Sequence, residues 1–171
     1  MMTYTRKATA DDIPAVMEII TAAIAYLAEQ GSPQWQANQG PTESIITEDV
    51  LAERGYVLIF DQTIVGYVAL VAGPDPIYEA IEGTWSGVSG KYIAIHRVAV
   101  SQQVRGQGLS QTLMNESVKW SQELGYTDIR IDTYPKNMIM QKVIQRAGFS
   151  YQGMIHFPFE HGERFAYQLI K

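Results

Sequence analysis

The stretch IHRVAVSQQVRGQGLS, residues 95–110, decides the fold of this chain. Residues 92–100, which run into this stretch and form its first part, are mostly apolar and indicate a buried strand. An apolar stripe that starts at Leu109 predicts an amphipathic helix. A turn with Gly106 and Gly108 joins the two. Such a turn exposes backbone N–H groups at a helix N-terminus, where the dipole favours negative charge, and glycine lets the backbone approach a pyrophosphate closely. The stretch predicts a phosphate-binding turn, although a glycine-rich connection with nothing bound has the same pattern.

Two better-known phosphate loops are excluded by their spacing. The chain has no G-x-x-x-x-G-K-[S/T] sequence, and its glycines lack the G-x-G-x-x-G spacing of the dinucleotide fingerprint.

The elements on either side of this turn follow from hydrophobic periodicity and from turn residues. Helices are predicted from an N-cap at Asp11 and Asp12 to Gly31, from Pro41 and Thr42 to about 54, from the turn to about 124, and over 137–147. Strands are predicted over 4–8, 56–60, 64–72, 92–100, 128–133, 151–157 and 164–170. The order β-α-α-β-β-β-α-β-α-β-β predicts an α/β (α+β) fold with a mixed sheet, in one domain over 1–171.

The segment 73–90 is a long connection rich in glycine and proline that also carries Tyr78 and Trp85. A loop of this length inside a compact domain is usually functional or disordered, and the aromatic side chains favour function.

Composition narrows the class of protein. The chain has 171 residues, a net charge of −5 and no cysteine. The acidic balance argues against general binding to nucleic acid or to an anionic membrane. The lack of cysteine excludes disulfides, cysteine-based zinc sites and an acyl-cysteine intermediate. No signal peptide or apolar run of membrane-spanning length is visible, so we expect a cytoplasmic protein.

Residues 105–110, RGQGLS, resemble the R/Q-x-x-G-x-G/A coenzyme A signature of the GNAT N-acetyltransferase superfamily, with Ser110 in place of the final glycine or alanine. Two further segments match in order and spacing: the strand residues 98–100 before the turn, and the block from Asn137 to Gly148 and Phe149. The resemblance covers nearly the whole chain. It implies the GNAT fold, a mostly antiparallel central sheet flanked by helices with a V-shaped splay between its two central strands.

The resemblance also assigns a binding site for acetyl-coenzyme A, with no metal. Backbone groups of the strand before the turn would hold the pantetheine arm, and the Val98 N–H would polarise the thioester carbonyl. The turn would cradle the pyrophosphate, and Asn137 would hydrogen-bond the pantetheine. The predicted cofactor-binding residues are Val98, Ala99, Val100, Arg105, Gly106, Gln107, Gly108, Leu109, Ser110 and Asn137.

Two catalytic candidates emerge. Many family members carry a tyrosine four residues before the Gly-Phe pair that protonates the leaving thiolate, but this chain has Ile144 there. Tyr134 is a substitute, and solvent is the alternative. His96 lies two residues before Val98, so a regular pleat would point both to one side and make His96 a general base. A core histidine satisfied by hydrogen bonds explains His96 equally well.

In this family the acceptor wall is formed by the segments after the first helix and before the central strand. Trp35, Tyr78, Glu79, Glu82 and Trp85 are the corresponding substrate-binding candidates, whose aromatic faces and carboxylates would suit a cation. The alternative is that the tryptophans cover the core and the acids face water.

We therefore expect an N-acetyltransferase in which the amine of a small molecule attacks acetyl-coenzyme A directly. A peptide or protein acetyltransferase and a catalytically silent sensor module that binds coenzyme A are the alternatives. No nucleic acid or membrane partner is expected, and a homodimer is left open.

Overall fold

The structure is a computed structural model that describes residues 2–87 and 90–171. The helices are α1 (Ile13–Glu29), α2 (Glu43–Leu51), α3 (Pro76–Glu79), α4 (Leu109–Glu123) and α5 (Met138–Arg146). The strands are β1 (Thr3–Lys7), β2 (Gly55–Phe60), β3 (Thr63–Ala72), β4 (Glu82–Gly83), β5 (Ile93–Val100), β6 (Asp128–Thr133), β7 (Ser150–His156) and β8 (Glu163–Ile170). Among the described residues, no helix is long and apolar enough to cross a membrane.

Within residues 2–87 and 90–171, eight strands form one open sheet in the order β1-β2-β3-β5-β6-β8-β7-β4. Most neighbours are antiparallel, whereas β5 and β6 pair in parallel, with Ile93 opposite Ile129 and Ile95 opposite Ile131. The predicted mixed α/β sheet is confirmed.

The chain divides into two compact units, each built from two segments. The first unit consists of Met1–Leu70 and Arg97–Leu113, and the second of Val71–His96 and Met114–Lys171. The strands β3 and β5 and the helix α4 contribute residues to both units. The single domain predicted over 1–171 stays a prediction.

In the first unit, β1, β2 and β3 form an antiparallel ribbon whose central strand is buried along almost its whole length. Helix α1 buries Val16 and Ile20, and α2 buries Ile46, each with no exposed area. Thr9 precedes a short 3-10 turn. Asp12 occupies the N-cap position of α1, as predicted, but its side chain accepts from Arg6 and from the Thr9 N–H and not from the first turn of α1.

In the second unit, β6 is flanked by β5 and β8, and β7 and β4 continue the sheet. One face of β6 carries the apolar Ile129 and Ile131. The opposite face carries Asp128, Arg130 and Asp132, because successive side chains of a strand alternate. All but Asp132 are buried, and Asp132 is half-buried. This face of β6 therefore carries all three charged residues of the strand.

The described part of segment 73–90 contains secondary structure that the sequence does not predict. It contains α3, which begins at an N-cap where Asp75 accepts from the Ile77 N–H, and β4, which pairs with β7. Sequence periodicity misses both elements because one has 4 residues and the other has 2. Residues 88 and 89 of this segment lie outside the described residues.

Candidate active site

In the first unit, the turn between β5 and α4 has the backbone geometry that the sequence predicts for a phosphate cradle. Gly106 and Gly108 adopt φ angles of 78° and 69°, in the left-handed region that favours glycine. Both are exposed, and the space beside each α-carbon is open to 4 Å. Helix α4 begins at Leu109, directly after the second glycine. The first N–H groups of a helix have no intrahelical acceptor, so this turn is suited to an anion.

The strand before the turn is interrupted at Arg97, a non-glycine residue with φ of 57°. A regular pleat requires an extended conformation there. The sequence argument that places His96 and Val98 on one side of the strand therefore loses its basis. Ala99 is buried, and Val98 and Val100 are half-buried.

The left-handed Arg97 is fixed by a buried carboxylate. Asp49 has no exposed area, and its two oxygens accept from Nε and Nη2 of Arg97 at 2.8 and 2.7 Å. Arg54 Nε and the Tyr67 hydroxyl complete the set at 2.8 and 2.7 Å. Burial acts to raise the pKa of Asp49, but these hydrogen bonds and the Arg97 charge bring it below its ordinary value. These bonds give Arg97 a structural role.

In the second unit, a tyrosine, an aspartate and a histidine come together. Tyr78 of α3 is fully buried, and its hydroxyl donates to Oδ2 of Asp132 at 2.6 Å. The Tyr78 ring also meets the edge of His96, with 5.8 Å between ring centroids. Tyr78 is expected to line an acceptor wall, and that contact stays a prediction; in this structure the Tyr78 side chain has no exposed area.

The charge of Asp132 is set by its surroundings. Burial raises the pKa of this carboxyl above its ordinary value, and the His96 charge, the Tyr78 hydrogen bond and the Arg164 charge act in the opposite direction. Burial in turn lowers the pKa of Arg164. The Arg164 guanidinium lies over the ring of Tyr134, 5.4 Å from its centroid, so Tyr134 belongs to the same cluster.

The remaining side chains of segment 73–90 are held by partners of their own. The Trp85 Nε1–H donates to the Tyr78 carbonyl, and Arg130 stacks between the Trp85 and Tyr92 rings at 4.2 and 3.7 Å from their centroids. Glu79 accepts from the Tyr92 hydroxyl at 2.9 Å. Trp85 therefore covers the core of the second unit, one of the two alternatives that the sequence leaves open.

The second acid of that segment, Glu82, is exposed and lies 3.1 Å from Nε2 of His156. Trp35 belongs to the first unit, where it is half-buried in a turn after α1 with φ of 63°. Contact of these residues with a substrate stays a prediction.

Comparison with known proteins identifies the family. The family model for acetyltransferases (GNAT) matches residues 20–149. The chain belongs to the GNAT acetyltransferase family. The predicted enzyme class, N-acetyltransferase, is thereby confirmed, as is the GNAT fold.

Three relatives illustrate the range of similarity to this GNAT chain. A GNAT acetyltransferase of known structure from Streptococcus agalactiae is 35% identical, with a TM-score of 0.86 over 99% of this chain and 95% of that one. A Bacillus subtilis protein, the uncharacterized N-acetyltransferase YesJ, is 24% identical over 88% of this chain and 83% of its own length. A chain of the NatC complex bound to Gag peptide and CoA is 13% identical, with a TM-score of 0.71 over 100% of this chain and 99% of that one. This last likeness shows the fold alone.

The geometry corrects the register of the coenzyme A signature in this GNAT chain. The two left-handed glycines, Gly106 and Gly108, suit the two small positions of the pattern, which then begins at Gln103 and not at Arg105. In this register the pattern Q-x-x-G-x-G is met without a departure, and Ser110 lies outside it, in the first turn of α4. The sequence analysis missed Gln103, although the spacing of the glycines alone would have found it.

The Arg105 side chain does not extend freely from the turn. Its guanidinium stacks on the Tyr26 ring, 3.9 Å from the centroid, and its Nε donates to Gln102 at 2.8 Å. These contacts hold the turn against α1 within the first unit. They leave the backbone N–H groups, rather than this cation, as the feature best suited to a pyrophosphate.

Two residues of the second unit bear on the pantetheine prediction. Asn137 is the N-cap of α5, and its carboxamide oxygen accepts from the Met140 N–H at 3.1 Å. The hydrogen bond to pantetheine expected of Asn137 stays a prediction, and the capping bond already uses its oxygen. Thr133 at the end of β6 is buried, and its hydroxyl has no hydrogen-bond partner in the described part of the chain. Buried hydroxyls are usually paired, so a bound cofactor would supply what Thr133 lacks.

The position of the usual family tyrosine offers no acid. Ile144 is fully buried on the inner side of α5. Tyr134 is also largely buried, at 6% exposure. Its role as the acid stays a prediction. Among residues 2–87 and 90–171, no group of three or more histidine, aspartate or glutamate side chains could hold a metal ion.

Proposed function

We propose that this chain transfers the acetyl group of acetyl-coenzyme A to a primary amine of a small molecule by direct attack, with His96 as the general base. The cluster of His96, Asp132 and Tyr78 carries the proposal. It supplies a half-buried imidazole beside a carboxylate at the end of β6. A histidine is mostly neutral at pH 7–8 unless its pKa is shifted, and a neutral imidazole accepts a proton.

The step balances as an acyl transfer. The lone pair of a neutral amine forms a C–N bond to the thioester carbonyl, and His96 takes one proton from that nitrogen. The C–S bond breaks, and the sulfur leaves with its electron pair and then takes a proton from Tyr134 or from solvent. The exposed turn around Gly106 and Gly108 would hold the pyrophosphate of the acetyl donor.

A small acceptor is favoured by the way segment 73–90 is fastened. Ser86 exchanges two hydrogen bonds with the Gln168 side chain at 2.7 and 3.1 Å, and β4 pairs with β7. With the bonds of Tyr78 and Trp85, these contacts tie the segment to the sheet of the second unit. A peptide acceptor needs an open groove, which a segment fastened in this way would restrict.

The test is the acetylation rate of the His96→Gln variant across pH 6–9, measured by thiol release with a panel of amines and peptides. We expect a loss of ~10²-fold at pH 7, partly recovered at high pH where the amine deprotonates unaided. His161→Gln is the matched control, because His161 lies exposed in the hairpin between β7 and β8. Full activity of His96→Gln over this range rejects His96 as the base.

The same assay separates the two alternative functions. A catalytically silent sensor would bind coenzyme A and release no thiol above the solvent rate with any amine. A peptide acetyltransferase would prefer peptide N-termini or lysines to every small amine. Direct attack further requires both substrates to be bound together, so double-reciprocal plots should intersect and not run parallel.

A further inference from the structure

We propose that Asp132, held by the Tyr78 hydroxyl, is the positioning residue for His96 and stabilises the imidazolium that forms when His96 takes the proton of the acceptor. This inference rests on the proposed role of His96. It adds two residues that the sequence does not single out for that task.

The first argument is the register of the sheet. Strands β5 and β6 are parallel, with Ala94 opposite Arg130 and Ile95 opposite Ile131. The paired register ends there, and the next residue along each strand is His96 on β5 and Asp132 on β6. Adjacent strands lie ~4.8 Å apart, and residues level with each other in a parallel pair point to the same face of the sheet. The topology of the second unit therefore brings an imidazole and a carboxylate to the same end of two neighbouring strands, close enough for the His96 charge to act on Asp132.

The second argument is the hydrogen bonding of the carboxylate. Tyr78 occupies Oδ2 of Asp132 at 2.6 Å and touches the His96 ring edge-on. The Tyr78 bond restricts rotation of the carboxylate, so that the remaining oxygen has a fixed direction. Because Tyr78 is fully buried and stacked with Trp85 and Tyr92, it is itself firmly held.

The third argument is the charge around the pair. Arg164 of β8 and, from segment 73–90, Asp75 and Tyr78 act electrostatically on Asp132, and Arg164 in turn lies over the Tyr134 ring. In the described residues, no arginine or lysine nitrogen lies within 4.0 Å of the Asp132 carboxylate. A carboxylate that is withdrawn even partly from water without an ion pair costs stability, so stability does not account for an aspartate at this place. Stabilisation of a transient imidazolium does.

The experiment compares the pKa of the His96 imidazole, followed by NMR in the protein without substrates, in the wild type and in Asp132→Asn. Loss of the negative neighbour should lower this pKa by about 1 unit and narrow the pH range over which His96 is protonated. Asp128→Asn is the matched control, because Asp128 lies on the same face of β6 but pairs with Arg130 and Gln168. The control should leave the His96 titration unchanged.

Kinetics supply the second readout. Asp132→Asn should lower kcat ~10-fold or more with little change in the KM of either substrate, whereas it should have no further effect in the His96→Gln background. An unchanged His96 titration in Asp132→Asn overturns the positioning role, as does an equal loss in both backgrounds. The titration needs no turnover, so it decides this inference even if His96→Gln keeps full activity and the proposed base is rejected.

Discussion

The Tyr78 hydroxyl and the Asp132 carboxylate lie 2.6 Å apart, although 54 positions separate them in the chain. This bond joins segment 73–90 to the end of β6, inside the second unit. The bond therefore links the conformation of segment 73–90, which is expected to bind the acceptor, to the position of Asp132 beside His96, the expected base. A change at Tyr78 should affect both the binding of the acceptor and the chemical step.

Tyr78→Phe keeps the ring that stacks with Trp85 and Tyr92 and removes only the hydroxyl. We expect the free energy of unfolding to fall by about 1 kcal/mol, the net value of one hydrogen bond. The acceptor KM should rise several-fold and kcat should fall, while coenzyme A affinity stays unchanged. Tyr151→Phe is the control, because Tyr151 is exposed and its ring meets other aromatic rings only edge-on. Wild-type kinetics in Tyr78→Phe would contradict the coupling.

The turn between β5 and α4 predicts how coenzyme A changes thermal stability. At one hundred times its dissociation constant, a ligand of the folded state adds ~2.7 kcal/mol. Gly108→Ala places a β-carbon where the pyrophosphate would approach, so the stabilisation by coenzyme A should largely vanish. The variant also loses ~1–2 kcal/mol of its own stability, because φ of 69° is unfavourable for alanine.

The matched control for this turn is Gly125→Ala. Gly125 has φ of 94° after the end of α4, in the second unit, so alanine is strained there as well. The control should lose stability without coenzyme A and keep the full stabilisation by coenzyme A. Equal stabilisation of Gly108→Ala and the wild type, measured by differential scanning fluorimetry, would remove the phosphate site.

The sequence predicts the parts of this fold that depend on long periodic segments. The strand over 128–133 and the helix after the glycine turn lie where their patterns predict them. It misses α3 and β4, because elements of 4 and 2 residues carry no periodic signal and are formed by tertiary contacts such as the Tyr78 bond.

In the candidate site, too, local features are visible in the sequence and features formed by distant contacts are not. The phosphate turn is local, so its glycines and their spacing are visible in the sequence, and their φ angles agree with the register that begins at Gln103. The left-handed Arg97 is a non-local result, since Asp49 of α2 fixes it from 48 positions away. Asp132 carried one usable signal, the alternation of polar residues at 128, 130 and 132 in a strand that is otherwise apolar. Tyr78, its partner in α3, stood out in the sequence only as an aromatic residue of segment 73–90, and nothing there indicated its bond to Asp132.

The buried carboxylate of Asp49 predicts loss of stability in acid. A carboxyl whose folded pKa is below its unfolded value of about 3.9 stabilises the fold above that value, and this contribution disappears as the pH falls through the folded pKa. Asp49→Asn leaves Arg97 and Arg54 without their carboxylate and should cost ~3 kcal/mol or more at pH 7.

Urea unfolding of the wild type and Asp49→Asn from pH 7 to pH 2 measures this effect. The difference in unfolding free energy between the two should shrink below pH 4. Asp61→Asn is the control, because the exposed Asp61 lies in the turn between β2 and β3. A difference that stays constant down to pH 2 would show that the charge of Asp49 is not what stabilises the fold.

Asp132 should behave in the opposite way, and this contrast separates function from stability. Its folded pKa is raised by burial, so folding favours the protonated carboxyl and the ionised form destabilises the protein. The free-energy cost of the ionised form is therefore absent well below the unfolded pKa of about 3.9, and it is fully present above the folded pKa.

Asparagine is uncharged at every pH and can still accept from the Tyr78 hydroxyl. Asp132→Asn should therefore match or exceed the wild type in unfolding free energy at pH 7, and it should lose that advantage as the pH falls below 4. Its acetylation rate at pH 7 should nevertheless be lower than that of the wild type by ~10-fold or more. A variant that is both less stable and less active at pH 7 would mean that Asp132 serves the fold, and its effect on His96 would then be indirect.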